Sequence, residues 1–282
     1  MKFIGIDKIL GIAMLGSLLA VAGCGSDHGG GGGFIKVTPR PPSKTSPGSG
    51  LFAVDCSKNR AYVPLDTLNG SEDGQVAVIN LGVNPDTTDP RVTVIALTHG
   101  PTPTGTALDN NDHLILVVSG GFVDVINETN NTLVAGSPFT IPGGSVVGGF
   151  GQILYNPTTK MAILNVAGPT PGFVTFDPVL HTFGKVIPAN YAESFSLNST
   201  TNVVMDSSDD SAFNTIDAID VVDGRACLLT DTNLVGDQDG ASTDSATNIT
   251  VISNEDGTAT VLNLNGSTFN PPSVPTTPCT LV

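Results

Sequence analysis

Short apolar runs rich in Val and Ile, broken by Gly, Asn and Asp, recur along most of the chain, most clearly over residues 106–135. There a first strand ends in the Asx-rich turn Asp109-Asn110-Asn111-Asp112. An apolar run over 114–118, a Gly120-Gly121 turn, a strand opening on Phe122, an Asn130-Asn131 turn and a short last strand follow. Strand formers set between turn formers in this way predict a four-stranded antiparallel meander. Residues 114–118 show no alternation of apolar and polar positions, which predicts a strand covered on both faces rather than a half-exposed one.

The unit returns. Asp55, Asp109, Asn156, Asn198 and Asp244 are each followed by a polar turn of about four residues and then a hydrophobic run. Their spacings are 54, 47, 42 and 46 residues. Third strands are expected from Gln75, Phe122, Phe173 and Thr258, and four of the five units then offer a fourth, such as residues 92–97. A period in the forties with four strands per unit predicts an all-β fold, a β-propeller of about five four-stranded blades; six blades with terminal strand closure is the alternative. A β-sandwich would also supply many short strands, but would not require the same turn chemistry at each repeat. Closure is expected from a terminal strand, residues 34–38 or 278–282, with the N-terminal piece favoured because the fifth unit has a poor fourth strand. The fourth unit looks irregular. Asp217, Asp220 and Asp223 stand three apart, a spacing that suits one helical face or a polar-edged strand, either as a contact loop on the rim or as an irregular blade.

The segment from Phe122-Val123-Asp124-Val125-Ile126-Asn127 to Ala135 resembles the repeat of YVTN-type β-propellers, and residues 55–63, ending in Tyr62-Val63, resemble the stretch that names them. Pro64 and Leu65 stand where that motif has Thr and Asn. The resemblance implies the fold over roughly residues 50–265. Propellers of this kind serve as cell-envelope proteins, lactonase-like enzymes and binding modules, so function does not transfer with it.

Composition agrees with strands and turns: 33 Gly, 20 Pro, no Trp, 39% apolar and 13% charged residues. A net charge of −15 with 11 Lys and Arg in all excludes nucleic acid as a partner, because phosphate binding needs clustered cations. The N-terminus changes the picture more. A weakly basic start precedes a 13-residue apolar run at 9–21, too short to span a bilayer, and reads as a signal peptide over 1–23. Its end, Val21-Ala22-Gly23-Cys24, resembles the lipobox of bacterial lipoproteins, which implies a diacylglycerol on the Cys24 thiol. Residues 24–50 follow as a lipidated Cys and Gly/Pro-rich tether, and 51–282 as the propeller domain. Cleavage before Cys24 leaves 9 basic against 25 acidic residues, a net charge of −16. The expected address is the bacterial cell envelope, lipid-anchored at the outer membrane on its periplasmic or surface face.

No catalytic residue is assigned. His28, His99, His113 and His181 show no metal-ligand spacing, and nucleophile-elbow and phosphate-loop motifs are missing. His99, in a blade-to-blade loop, is the best single candidate for a lactonase-like site, although a solvated loop histidine is the plainer reading. Loops expected on one face carry Asp66, Asp73, Asp209, Asp210, Glu255 and Asp256, a candidate partner-binding rim. Asp237-Gln238-Asp239-Gly240 has the alternating carboxylates and Gly of a minimal calcium loop, so Ca²⁺ is the one cofactor considered. Beyond Cys24 there remain Cys56, Cys227 and Cys279, and in an oxidising compartment Cys227 with Cys279 is the preferred disulfide over Cys56 with Cys279. The function expected is a binding or scaffold module for an envelope protein or polysaccharide, held to the membrane by its lipid; the alternative is a lactonase-like hydrolase with a metal at the propeller axis.

Overall fold

The computed structural model describes residues 45–47, 52–67, 74–82, 92–98, 103–146, 152–189, 194–207, 215–222, 225–230, 238–254 and 258–263. Among these all regular structure is strand, and no helix is long and apolar enough to cross a membrane. The strands form five antiparallel sheets that follow one another along the chain. Blade one contains β1 (Thr45–Pro47), β2 (Ala53–Asp55), β3 (Arg60–Thr67), β4 (Gln75–Asn80) and β5 (Val92–Ala96). Blade two contains β6 (Pro103–Asp109), β7 (Leu114–Ser119), β8 (Phe122–Asn127), β9 (Thr132–Leu133) and β10 (Phe139–Thr140). Blade three is β11 (Ser145–Val146), β12 (Ile153–Asn156), β13 (Met161–Ala167), β14 (Gly172–Asp177), β15 (Thr182–Phe183) and β16 (Ile187–Pro188). Blade four is β17 (Ser194–Asn198), β18 (Val203–Ser207), β19 (Thr215–Asp220) and β20 (Arg225–Thr230). Blade five is β21 (Gln238–Asp244), β22 (Ile249–Asn254) and β23 (Ala259–Asn263). Successive sheets meet through their first strands, β2 with β6, β6 with β12, β12 with β17 and β17 with β21. This is a β-propeller.

The same local chemistry ends the first strand of every blade. The Oδ1 of Asp55 accepts the amides of Ser57 and Lys58 at 2.8 and 3.2 Å, and that of Asp109 accepts those of Asn111 and Asp112 at 2.9 and 3.2 Å. Asn156 takes Thr158 and Thr159, Asn198 takes Thr200 and Thr201, and Asp244 takes Ala246. Four residues after each anchor the backbone turns left-handed, at Asn59, His113, Lys160, Asn202 and Asn248, with φ between 53° and 62°. Asn and His tolerate that conformation better than most residues do, so four of the five turns carry side chains suited to both demands, and the third places Lys160 there. The turn after the third strand repeats the device. Asn80, Asn127, Asp177 and Asp220 cap the amides of Gly82, Thr129, Val179 and Val222, at 2.9 to 3.1 Å. Both turn families lie at the same end of the sheets.

Side chains of alternate parity face neighbouring blades and form four separate apolar layers. Tyr62, Val76 and Val78 meet Ile115, Val117 and Ile126 between blades one and two. Leu116, Val118 and Val125 meet Leu164, Val174 and Phe176 between two and three. Ile163 and Phe173 meet Phe195, Val204 and Ile219, and Met205 and Ile216 meet Ile252 across the next two boundaries. Each such side chain contributes roughly 1.5–3 kcal/mol when fully buried. Sandwiching explains the uninterrupted burial of β7 and β18, since both faces are covered.

Several details depart from expectation. Residues 45–47, read as part of a Pro-rich tether, form β1 and pair with β3 (Thr45 opposite Thr67), so the first strand of blade one comes in two pieces. The closure candidates at 34–38 and 278–282 lie outside the described residues. The fourth strand of blade two is divided: β9 and β10 both pair with β8, because Gly136 at φ 90° and Pro138 interrupt the chain between them. Blade three divides its fourth strand in the same way, into β15 and β16. Blade four is regular, and Asp217 and Asp220 sit on the strand β19 rather than a helix. Asp220 ends the strand, and its carboxylate accepts the Val222 amide of the turn that follows. Asp223 lies outside the described residues.

Asn156 is fully buried and also donates to Asn202 of the next blade at 2.9 Å, whereas Asp244 is exposed. Asn156→Ala should therefore lower unfolding free energy by about 2–4 kcal/mol, the loss of a cap and of a buried partner. Asp244→Ala should move the urea midpoint far less. Equal shifts for the two variants would contradict this ranking of the turns.

Candidate functional site

The turn families bring charged side chains together where blade one meets blade two. Glu128, immediately after β8, is wholly buried, and its amide donates to the His113 carbonyl at 2.9 Å. Its Oε1 accepts the Tyr62 hydroxyl at 2.7 Å, its Oε2 pairs with the Lys58 ammonium, and its carbonyl accepts Arg60 Nη1 at 3.2 Å. Lys58 Nζ also donates to His113 Nδ1 at 3.2 Å and lies 3.8 Å from Asp55 Oδ2. A buried carboxylate is costly unless it is paired and hydrogen-bonded, and every oxygen of Glu128 has a partner from blade one. The cluster is thus a clamp across the first blade boundary, topped by the exposed edges of Lys58 and His113.

Titration follows from this packing. Burial raises the Asp55 carboxyl, but the Ser57 hydroxyl and the Lys58 and Ser57 amides outweigh it and hold the group below its ordinary value. A depressed carboxyl adds stability that is present above the unfolded value and lost as pH falls through the folded one. Burial pushes the Tyr62 phenol well up, and its bond to the Glu128 carboxylate adds to the effect. Burial likewise pushes Tyr155 up to about 12, with Asp109 nearby as a lesser cause; its hydroxyl accepts Asn111 Nδ2 at 3.1 Å.

Other polar groups near the first strands bridge blades in the same manner. Thr106 Oγ1 donates to the Tyr62 carbonyl at 3.2 Å. Gln152 binds Ser194 and the Phe195 amide, Ser196 meets Thr243 at 2.6 Å, and Asn198 donates to Asn248 at 2.5 Å. These groups are committed to holding blades together. Among the described residues no three His, Cys, Asp or Glu side chains are placed to hold a metal.

Of the residues singled out from sequence, Asp66 lies on β3 opposite Ser46, Asp239 on β21, and Cys227 on β20 opposite Ala218. Asp73, Asp209, Asp210, Asp237, Glu255, Asp256, Cys24, Cys279, His28 and His99 lie outside the described residues. The described ends of β3 and β4, of β18 and β19 and of β22 and β23 that precede and follow residues 68–73, 208–214 and 255–257 are opposite the Asx turns. His113 and His181 are left-handed turn residues, and His181 stacks on Phe139 with ring centroids 4.4 Å apart. Cys56 is disulfide-bonded. The Glu128 clamp escapes a reading of sequence motifs, since its members come from two blades; the one local signal is an acid directly behind the turn anchor Asn127.

In a spectrophotometric alkaline titration of the three tyrosines, Tyr155 should ionise at about 12 and Tyr62 later still, with folded-state stability declining as pH rises above the ordinary tyrosine value near 10. Glu128→Gln should bring Tyr62 ionisation down while leaving Tyr155 in place. Two phenols titrating normally in the folded protein would contradict the clamp.

No protein-family model matches the chain, and no curated protein matches it. Among solved structures, a chain in the crystal structure of a nidogen/laminin complex is similar, with a TM-score of 0.52 and 12% identity over 76% of this chain and 79% of that one. At that identity the likeness speaks for architecture alone. It agrees with the stacked four-stranded sheets: the chain folds as a β-propeller of about five blades.

Proposed function

We propose that this protein is a lipid-anchored cell-envelope propeller that acts as a binding or scaffold module for a protein or polysaccharide partner. The observation that carries the reading is how the polar groups are used. Near the first strands they are spent on bonds between blades, including Thr106 to Tyr62, Gln152 to Ser194, Ser196 to Thr243 and the Glu128 clamp. Such a frame is stiff, and recognition is left to its connecting loops. The acids Asp66, Asp73, Asp209, Asp210, Glu255 and Asp256 would form the rim at which a partner with basic or hydroxyl-rich surface docks. Recognition of a protein partner by this fold has a precedent in the nidogen/laminin complex. The Val21-Ala22-Gly23-Cys24 sequence and the Gly-rich stretch after it support a tether to a bacterial outer membrane, since acyl chains contribute roughly 0.8 kcal/mol per buried methylene. Calcium at Asp237 and Asp239 would brace the rim, and melting in calcium against chelator tests it: an unchanged transition removes the site.

The reading is tested by labelling cells with radioactive palmitate and fractionating them, alongside assays of the purified protein on lactones and aryl esters with added divalent metal. Wild type should carry label and sediment with membranes, Cys24→Ala should do neither, and no ester or lactone should turn over. Unlabelled wild type would overturn the anchor, and metal-dependent turnover would overturn the binding role.

A further inference from the structure

The clamp at the first blade boundary holds an amine against a buried carboxyl. Lys58 Nζ, from the first turn of blade one, touches Oε2 of Glu128, which follows β8 in blade two and is fully buried. Lys58 is the third residue after its turn anchor, and Glu128 directly follows the anchor Asn127. The corresponding couples are Asp112 with Pro178 at the second boundary and Thr159 with Val221 at the third, and neither holds an amine. Those boundaries keep the same capped, left-handed turns without such a pair, so the turn itself does not require one.

The groups that acyl transfer needs surround the contact. Tyr62 donates its hydroxyl to Glu128 Oε1 at 2.7 Å, the oxygen on which charge gathers when an amine adds to the carboxyl carbon. His113 Nδ1 stands 3.2 Å from Lys58 Nζ and Asp55 Oδ2 3.8 Å from it, two acceptors for the ammonium protons. Both reacting residues are fixed by their backbones: the Lys58 amide donates to Asp55 Oδ1 at 3.2 Å and the Glu128 amide to the His113 carbonyl at 2.9 Å. Groups held in this way react as though at roughly 10⁵ M or more, and burial of Glu128 keeps water from competing for its carbon.

We propose that Lys58 and Glu128 become joined by an intramolecular isopeptide bond. Two protons leave Nζ by way of His113 and Asp55 and both end on Oε2. The Nζ–Cδ bond forms, the Cδ–Oε2 bond breaks and one water departs, so no oxidant or cofactor is consumed. The Tyr62 hydroxyl stays on Oε1, now an amide oxygen, and the Glu128→Gln comparison above reads the ion-paired protein that precedes the bond. Blade one also receives β1, the first described strand, so a pull on that end of the chain passes to blade two through a covalent link.

The test is mass spectrometry of tryptic peptides from the reduced, denatured full-length protein. The proposal predicts no cleavage after Lys58 and one branched peptide joining residues 45–60 to residues 92–160, short of their summed mass by one water. Lys58→Arg keeps the cation but not the nucleophile; it should release the two segments separately and melt roughly 5–15 °C lower. Asp55→Asn and His113→Asn preserve the turn chemistry of the other blades, where Asn serves at both positions. Each should slow the appearance of the branched peptide in freshly synthesised protein by at least about tenfold. Wild-type protein cleaved after Lys58 with no loss of water would overturn the bond, and this peptide map decides even where a variant does not fold. Formation as fast in both Asn variants as in wild type would overturn the proton path.

Discussion

A side-chain oxygen at the end of each first strand sets the geometry of this propeller. By accepting amides of the following turn, two each at Asp55, Asp109, Asn156 and Asn198 and that of Ala246 at Asp244, these side chains fix where the second strand begins, and the left-handed residue four positions on points the chain back along the sheet. Because the side-chain period of a strand is two, that choice of starting point decides which residues face the preceding blade and which the following one. Four of the five anchors are themselves buried between blades, so a single group sets the turn and seals a boundary. In two boundaries the anchor amide completes the link directly, Asn156 to Asn202 and Asn198 to Asn248.

The first boundary solves the same problem with charge. Asp55 cannot donate as Asn156 does, and the cross-blade bond there comes from Lys58 and Tyr62 to the buried Glu128. A buried ion pair is weak support for stability compared with apolar packing, but removing one partner leaves a charge stranded, which makes the arrangement specific to one pairing of blades. The outermost members of the cluster, Lys58 and His113, keep solvent access and carry the charge to the surface.

Much of this architecture is legible in the chain. The five anchors, the spacing between them and the apolar run of β7 are local features, and each reports a constraint that acts within a few residues. What sequence hides is set by partners far away along the chain. The split outer strand of blade two follows from Gly136 and Pro138 between its two halves, and blade three divides its outer strand at residues 184–186. Residues 45–47 read as linker because prolines dominate their neighbourhood, yet they lie against Leu65 and Thr67 at a sheet edge, where the missing proline amide costs little. Irregular composition in blade four likewise masked an ordinary sheet, in which Asp217 and Asp220 lie on one strand and Asp220 caps the turn that follows. The Glu128 clamp needed two blades to be seen at all. Of the expected acidic rim only Asp66, on β3, is among the described residues.

Amide hydrogen exchange tests the role of the anchors most directly. Amides of Ser57, Asn111, Thr158 and Thr200 should be protected to nearly the degree of the central strands β7 and β13, and that of Ala246, beside the exposed Asp244, should exchange much faster. Exchange of all five at the rate of unstructured loops would contradict the claim that buried turn anchors organise the wheel.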